Sequence, residues 1–132
     1  MDKKIRVLLA QPSLENHSRG IITVAHMLRN AGMEVIYIGN SLPEQVAQVA
    51  LQEDADVIGI SVLCGSELVF GKDLIKYAKK KKLREDLLLM LGGIFPPQHI
   101  PKLKKIGFKG IFGPGATKEE IVGFIKGALP ST

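Results

Sequence analysis

The amino-acid sequence predicts an α/β fold: an open, five-stranded parallel sheet of order 2-1-3-4-5 with helices on both faces. Three observations lead there. Short apolar runs alternate with segments of helical period along the whole chain. The runs are apolar throughout rather than alternating, as strands buried on both faces read. Glycines and capping residues punctuate the chain where each helix would begin or end.

Taken in order, Ile5 to Ala10 reads as strand one. Gly20 to Asn30 reads as a helix, with Ile21, Val24, Ala25 and Leu28 on one face and Gly32 as its stop. Glu34 to Ile38 is strand two. Ser41-Leu42-Pro43-Glu44 resembles a capping box with proline in the first turn, opening a helix to about Glu53. Val57 to Ser61 is strand three, and Ser66 or Glu67 opens a helix that ends in a lysine run. Leu87 to Leu91 is strand four, stopped by Gly92-Gly93. Pro96-Pro97 precedes a short helix from Gln98 to Ile106. Gly110 to Phe112 is strand five, and Thr117-Lys118-Glu119-Glu120 is a second capping box ahead of a helix to about Leu129.

Strands alternating with helices imply right-handed crossovers and a sheet covered on both sides, the flavodoxin-like (Rossmann-like) arrangement. At 132 residues the chain is expected to be one domain, 1–132. Its 45% apolar content argues against disorder. No apolar run approaches the roughly 20 residues a membrane span needs, and the segment after Met1-Asp2-Lys3-Lys4 is too short for a secretory signal. A soluble cytoplasmic protein is expected, without a membrane partner. The lone Cys64 allows neither an internal disulfide nor a thiolate metal cluster. Much of the net charge of +5 sits in Lys79-Lys80-Lys81-Lys82-Leu83-Arg84, which reads as a solvated helix end. With no tryptophan and no aromatic side chain interleaved in that run, a nucleic-acid partner is not expected.

In sheets of this order, ligands bind beyond the carboxyl ends of the strands, where strands one and three diverge. The rule points to the loop after Ala10, the loop after Ser61, and Gly92-Gly93. The first loop lacks the glycine patterns of dinucleotide and P-loop sites. It offers Glu15-Asn16-His17-Ser18-Arg19-Gly20 instead. A carboxylate near a histidine can hold one ring nitrogen and leave the other for a metal. One histidine is too few for zinc, but enough for a macrocycle that brings most of its own ligands. His26 and His99 show no carboxylate in a suggestive place and read as surface or packing residues.

These runs resemble the cobalamin-binding domains of the mutase and methionine synthase type, which carry D-x-H-x-x-G, then S-x-L, then G-G. Here the matching residues are Glu15 to Gly20, Ser61-Val62-Leu63 and Gly92-Gly93, in the expected order after the expected strands. Further runs, Gly92 to Gln98 and Phe112-Gly113-Pro114-Gly115, resemble the carboxy-terminal domain of methylmalonyl-CoA mutase. The resemblance covers Lys4 to Leu129.

It implies that His17 is the lower axial ligand to cobalt, displacing the cofactor's own benzimidazole. Glu15, where the family usually has aspartate, would bond the other ring nitrogen; Asn16, Arg19 and Gly20 complete that motif. Ser61 would bond the displaced benzimidazole tail and Leu63 would line its slot. Gly92 and Gly93 would let the tail pass, and Gly113, Gly115 and Thr117 would close around its far end. The implied function is the small subunit of an adenosylcobalamin-dependent acyl-CoA mutase. It would hold the cofactor's lower face, while a large barrel subunit carries the acyl-CoA site and the radical chemistry. Two other readings stay open at this point: a corrinoid carrier or sensor without mutase activity, and a degenerate flavodoxin-like interaction module.

Overall fold

A computed structural model of the chain describes residues 4–12, 19–62 and 65–129. Five strands and five helices alternate: β1 (Arg6–Pro12), α1 (Arg19–Asn30), β2 (Glu34–Ser41), α2 (Pro43–Glu53), β3 (Val57–Val62), α3 (Glu67–Lys80), β4 (Leu88–Gly93), α4 (His99–Ile106), β5 (Gly110–Phe112) and α5 (Lys118–Ala128). The strands form one sheet of order β2-β1-β3-β4-β5, parallel at every pairing, as the sequence predicts.

Each strand feeds two cores, because successive side chains point to opposite faces. Leu8, Ala10, Ile58, Ile60, Leu89 and Leu91 meet Val46 and Ala50 of α2, Phe70 and Leu74 of α3, and Leu103 of α4. On the opposite face, Val7, Leu9, Val57, Leu88 and Met90 meet Ile21, Ala25 and Leu28 of α1, and Ile121 and Ile125 of α5. Gly71 lets α3 approach Phe108: a Cβ added there would lie 2.7 Å from the ring. Burying a side chain of that size contributes roughly 1.5–3 kcal/mol.

Several boundaries differ from the sequence expectation, for polar reasons. β1 runs past Ala10 to Pro12 and β2 past Ile38 to Ser41. After a register shift between Leu9 and Ala10, the two strands continue pairing as Ala10↔Gly39, Gln11↔Asn40 and Pro12↔Ser41. β3 pairs with β1 only as far as Ala10, so Pro12 needs no donor on that side. Because Ser41 stays in the strand, Leu42 becomes the residue before α2. Gln45, not Glu44, then supplies the returning side chain, its Oε1 accepting from the Leu42 N–H at 2.7 Å. β4 continues through Gly92 and Gly93 instead of stopping before them. Thr117 caps α5 as expected, accepting from the Glu120 N–H at 3.1 Å.

At the amino end of the sheet, Asp56 accepts from the Arg6 N–H at 2.8 Å and from the Arg84 guanidinium. That hydrogen bond to Asp56 raises the Arg84 pKa above its ordinary value, with further help from the charges of Asp86 and Asp54. Among the described residues, no helix is long and apolar enough to cross a membrane.

Candidate cofactor site

The cavity-forming residues follow from strand periodicity. On the face turned toward α1 and α5, β3 presents Val57, then Gly59, then Ser61, and β4 presents Leu88, Met90, then Gly92. Val57 and Leu88 are core residues, whereas Ser61 and Gly92 have little or no side chain to offer. The sheet surface therefore drops away toward its carboxyl end. A cavity of about 490 Å³ opens there, lined by Gly20, Ile21 and Val24 of α1, by Gly59 and Ser61, by Met90, Gly92 and Gly93, and by Phe112 through Ala116. The Phe112 and Phe124 rings meet edge to face with centroids 5.7 Å apart, beside this wall.

Gly92 and Gly93 contribute differently. A Cβ built on Gly92 meets nothing closer than the Phe112 carbonyl oxygen at 3.7 Å, an ordinary contact, so the backbone there does not require glycine. Gly93 has φ +142, and a Cβ there would lie 1.8 Å from the Val62 carbonyl oxygen. Its glycine is required by the backbone, which turns so that the Ile94 N–H reaches the Val62 carbonyl at 3.2 Å.

Of the residues the sequence singles out, Gly20, Ser61, Gly92, Gly93, Gly113 and Gly115 all border the cavity. Thr117 lies just beyond Ala116, its hydroxyl engaged with Glu120. Arg19 opens α1. Glu15, Asn16, His17 and Leu63 lie outside the described residues. The strand from which the His17 segment departs is firmly held at its end. Gln11, almost fully buried, donates from Nε2 to Asn40 Oδ1 at 3.2 Å, and Asn40 Nδ2 donates to the Pro12 carbonyl at 3.1 Å.

Sequence reasoning missed Gly59 as a site residue. Its Cβ would come 2.7 Å from Leu9 Cδ2 and 3.3 Å from Met90 Cε, so any side chain there would crowd the cavity floor. The available signal was a glycine in the middle of a β-branched strand, which marks a close approach. The reading of His99 needs correction. His99 does have a carboxylate partner, for its Nδ1 lies 2.6 Å from Oε1 of fully buried Glu67. The two are separated by 32 positions in the chain, and only the fold brings them together. His26 is exposed, as expected.

The cradle suits a flat, largely apolar group entering from the carboxyl end of the strands. Its floor is glycine, its walls are aliphatic and aromatic, and Ser61 offers a hydroxyl at the rim. That description fits the benzimidazole tail of a cobalamin. Residues 5–122 match the family described as the B12 binding domain.

This chain belongs to the B12 binding domain family.

The domain is 37% identical over 123 residues to the 2-hydroxyisobutanoyl-CoA mutase small subunit of Aquincola tertiaricarbonis, a match covering 92% of this chain and 90% of that one. It is 39% identical over 122 residues to the pivalyl-CoA mutase small subunit of Xanthobacter autotrophicus, covering 91% of this chain and 80% of the relative. Among solved structures, a cobalamin-binding protein from Desulfitobacterium hafniense superposes with a TM-score of 0.81 at 18% identity. That match covers 97% of this B12 binding domain and 60% of the other chain, and shows a shared fold. The sequence expectation of a cobalamin-binding domain homologous to acyl-CoA mutase small subunits is met.

Proposed function

We propose that this chain is the cobalamin-carrying small subunit of an adenosylcobalamin-dependent acyl-CoA mutase that rearranges a carbon skeleton. The observation that carries this is the cavity over Gly59, Ser61 and Gly92, at the end of the sheet where β1 and β3 diverge. The small-subunit names of the two relatives, matched over most of their length, supply the reaction class.

Within this reading each part of the chain has a duty. His17 would be the residue that holds the cobalt, with Glu15 as the carboxylate that would bond its other ring nitrogen. The α1/α5 cavity would hold the benzimidazole tail, where Ser61 would offer a hydroxyl and Gly92 would leave room. Gly113 and Gly115 form the loop at its far end. When bound, adenosylcobalamin supplies homolytic cobalt–carbon cleavage, and so a hydrogen-abstracting radical. This chain's residues supply no acyl-CoA site; that belongs to a large barrel subunit docked over the cofactor. The chain alone is inactive.

The test is an absorbance titration with adenosylcobalamin and hydroxocobalamin, beside His17→Ala. A spectrum of the tail-displaced, histidine-ligated form in the parent and not in the variant supports the reading. Turnover of a branched acyl-CoA only after addition of a large mutase subunit completes it. Binding of a methylated corrinoid with no adenosyl-dependent turnover would move the assignment to a corrinoid carrier. Absence of any binding, with and without the large subunit, would leave an interaction module.

A further inference from the structure

Glu67 and His99 lie on the face of the sheet opposite the tail cavity, and nothing in the cobalamin reading uses them. Glu67 is the first residue of α3 and is fully buried; His99 is the first residue of α4 and is half-buried. His99 Nδ1 and Glu67 Oε1 are hydrogen-bonded at 2.6 Å. The second carboxylate oxygen, Oε2, is buried with no hydrogen-bond partner among the described residues. A buried carboxylate is costly unless paired, so its site depends on His99 and on the positive ends of the two helices.

The pair joins two connections that reach the cofactor cavity by different routes. One runs from Val62 to Glu67, with the cavity residue Ser61 just before it. The other runs from Gly93 to His99. Ser61 and Val62 are register partners of Gly92 and Gly93, and the Ile94 N–H bonds the Val62 carbonyl. Beyond that point, the described residues of the two connections are rejoined by Glu67 and His99. The second connection is stiff from within. It contains Pro96-Pro97, and the N–H groups of His99 and Ile100 bond the carbonyls of Pro96 and Pro97 at 2.9 and 3.1 Å. The first contains Gly65 at φ +82, a residue with wide conformational freedom.

We propose that Glu67 and His99 form a positioning latch, which ties the start of α3 to the proline-stiffened β4–α4 connection and thereby holds the Ser61 edge of the tail slot, at the end of β3, in its binding shape. The proposal rests on the cobalamin reading for its ligand, but not for its mechanics. It makes the latch a determinant of tail binding from outside the slot. The stiff connection acts as anchor and the glycine-containing one as the part being held.

The experiment uses the full chain as parent, His99→Ala, Glu67→Gln, and the exchanged pair Glu67→His with His99→Glu. Amide hydrogen exchange of the cofactor-free proteins is read first. In His99→Ala, the Gly65, Ser66 and Glu67 amides should exchange at least about tenfold faster, while those of Ile94 and Ile100 change little. Equal acceleration on both sides, or none, overturns the latch. Cobalamin affinity is read second. Both single variants should bind about tenfold or more weakly, keeping the histidine-ligated spectrum at saturation. Unchanged affinity in a folded single variant overturns the proposal. Where a single variant folds poorly, the exchanged pair decides: recovered affinity supports a positioning contact, and a folded but weakly binding exchanged pair refutes it. A parent that binds no cobalamin defeats the functional reading instead, and the exchange asymmetry still tests the latch.

Discussion

Gly92 stands in register between Ser61 of β3 on one side and Phe112 of β5 on the other. This places the emptiest position of β4 between a hydroxyl and an aromatic ring. The three residues form a cross-section of the cavity, so its shape can be changed at one point without moving its neighbours.

Gly92→Val is the direct test of that cross-section. Its Cβ meets only ordinary contact, 3.7 Å from the Phe112 carbonyl oxygen, and a β-branched residue suits a strand. The fold should persist while the slot fills. Cobalamin affinity should fall by at least about tenfold, roughly 1.4 kcal/mol, with little change in melting temperature. Absorbance titration and thermal melting, run side by side, check this.

Much of this site was legible in the sequence because its parts fall directly after strands. The apolar runs of β3 and β4 put Ser61, Gly92 and Gly93 at the carboxyl edge of the sheet, although both strands run past the ends those runs mark. The capping box made Thr117 legible as the start of α5, whereas Gly113 and Gly115 came into the site only through the family resemblance. Gly59 was not legible, since a lone glycine in a strand does not say which face it opens. The Glu67–His99 contact was not, because neither residue has a local partner and the pairing spans 32 positions. The ends of β1 and β2 were missed for a similar reason: Gln11 and Asn40 read as loop residues until each is seen to satisfy the other.

Gly93→Ala separates the two glycines. At φ +142, with an added Cβ 1.8 Å from the Val62 carbonyl oxygen, alanine forces the backbone to move. A stability loss of about 3 kcal/mol is expected, seen as a melting temperature lower by roughly 10 °C. A melting curve matching the parent's would disprove this backbone role.

Thr117→Ala removes the hydroxyl that accepts from the Glu120 N–H and contacts the Glu120 carboxylate. The loss should be about 1 kcal/mol in denaturant unfolding. Thr117→Ser, which keeps the cap, should recover most of it. A drop in cobalamin affinity larger than that stability loss, in alanine but not serine, would reveal the second duty the family resemblance implies.

Asp56→Ala tests the opposite end of the sheet. The carboxylate holds the Arg6 N–H and the Arg84 guanidinium, so its removal leaves a partly buried donor unmatched. About 2 kcal/mol of stability should go. Cobalamin affinity should stay within about twofold of the parent's, because the cavity lies at the other end of the strands.

The sheet divides the molecule into two cores of unequal completeness. Beneath α2, α3 and α4 the side chains close on one another. Under α1 and α5 the core gives way to the cavity. In the proposed reading a bound tail would act as a missing piece of hydrophobic interior for that side, with a linkage energy that grows with the logarithm of ligand concentration over Kd. Loading the cofactor should raise the cooperativity of unfolding by bringing α1 and α5 up to the stability of the rest, so the loaded chain melts as one unit.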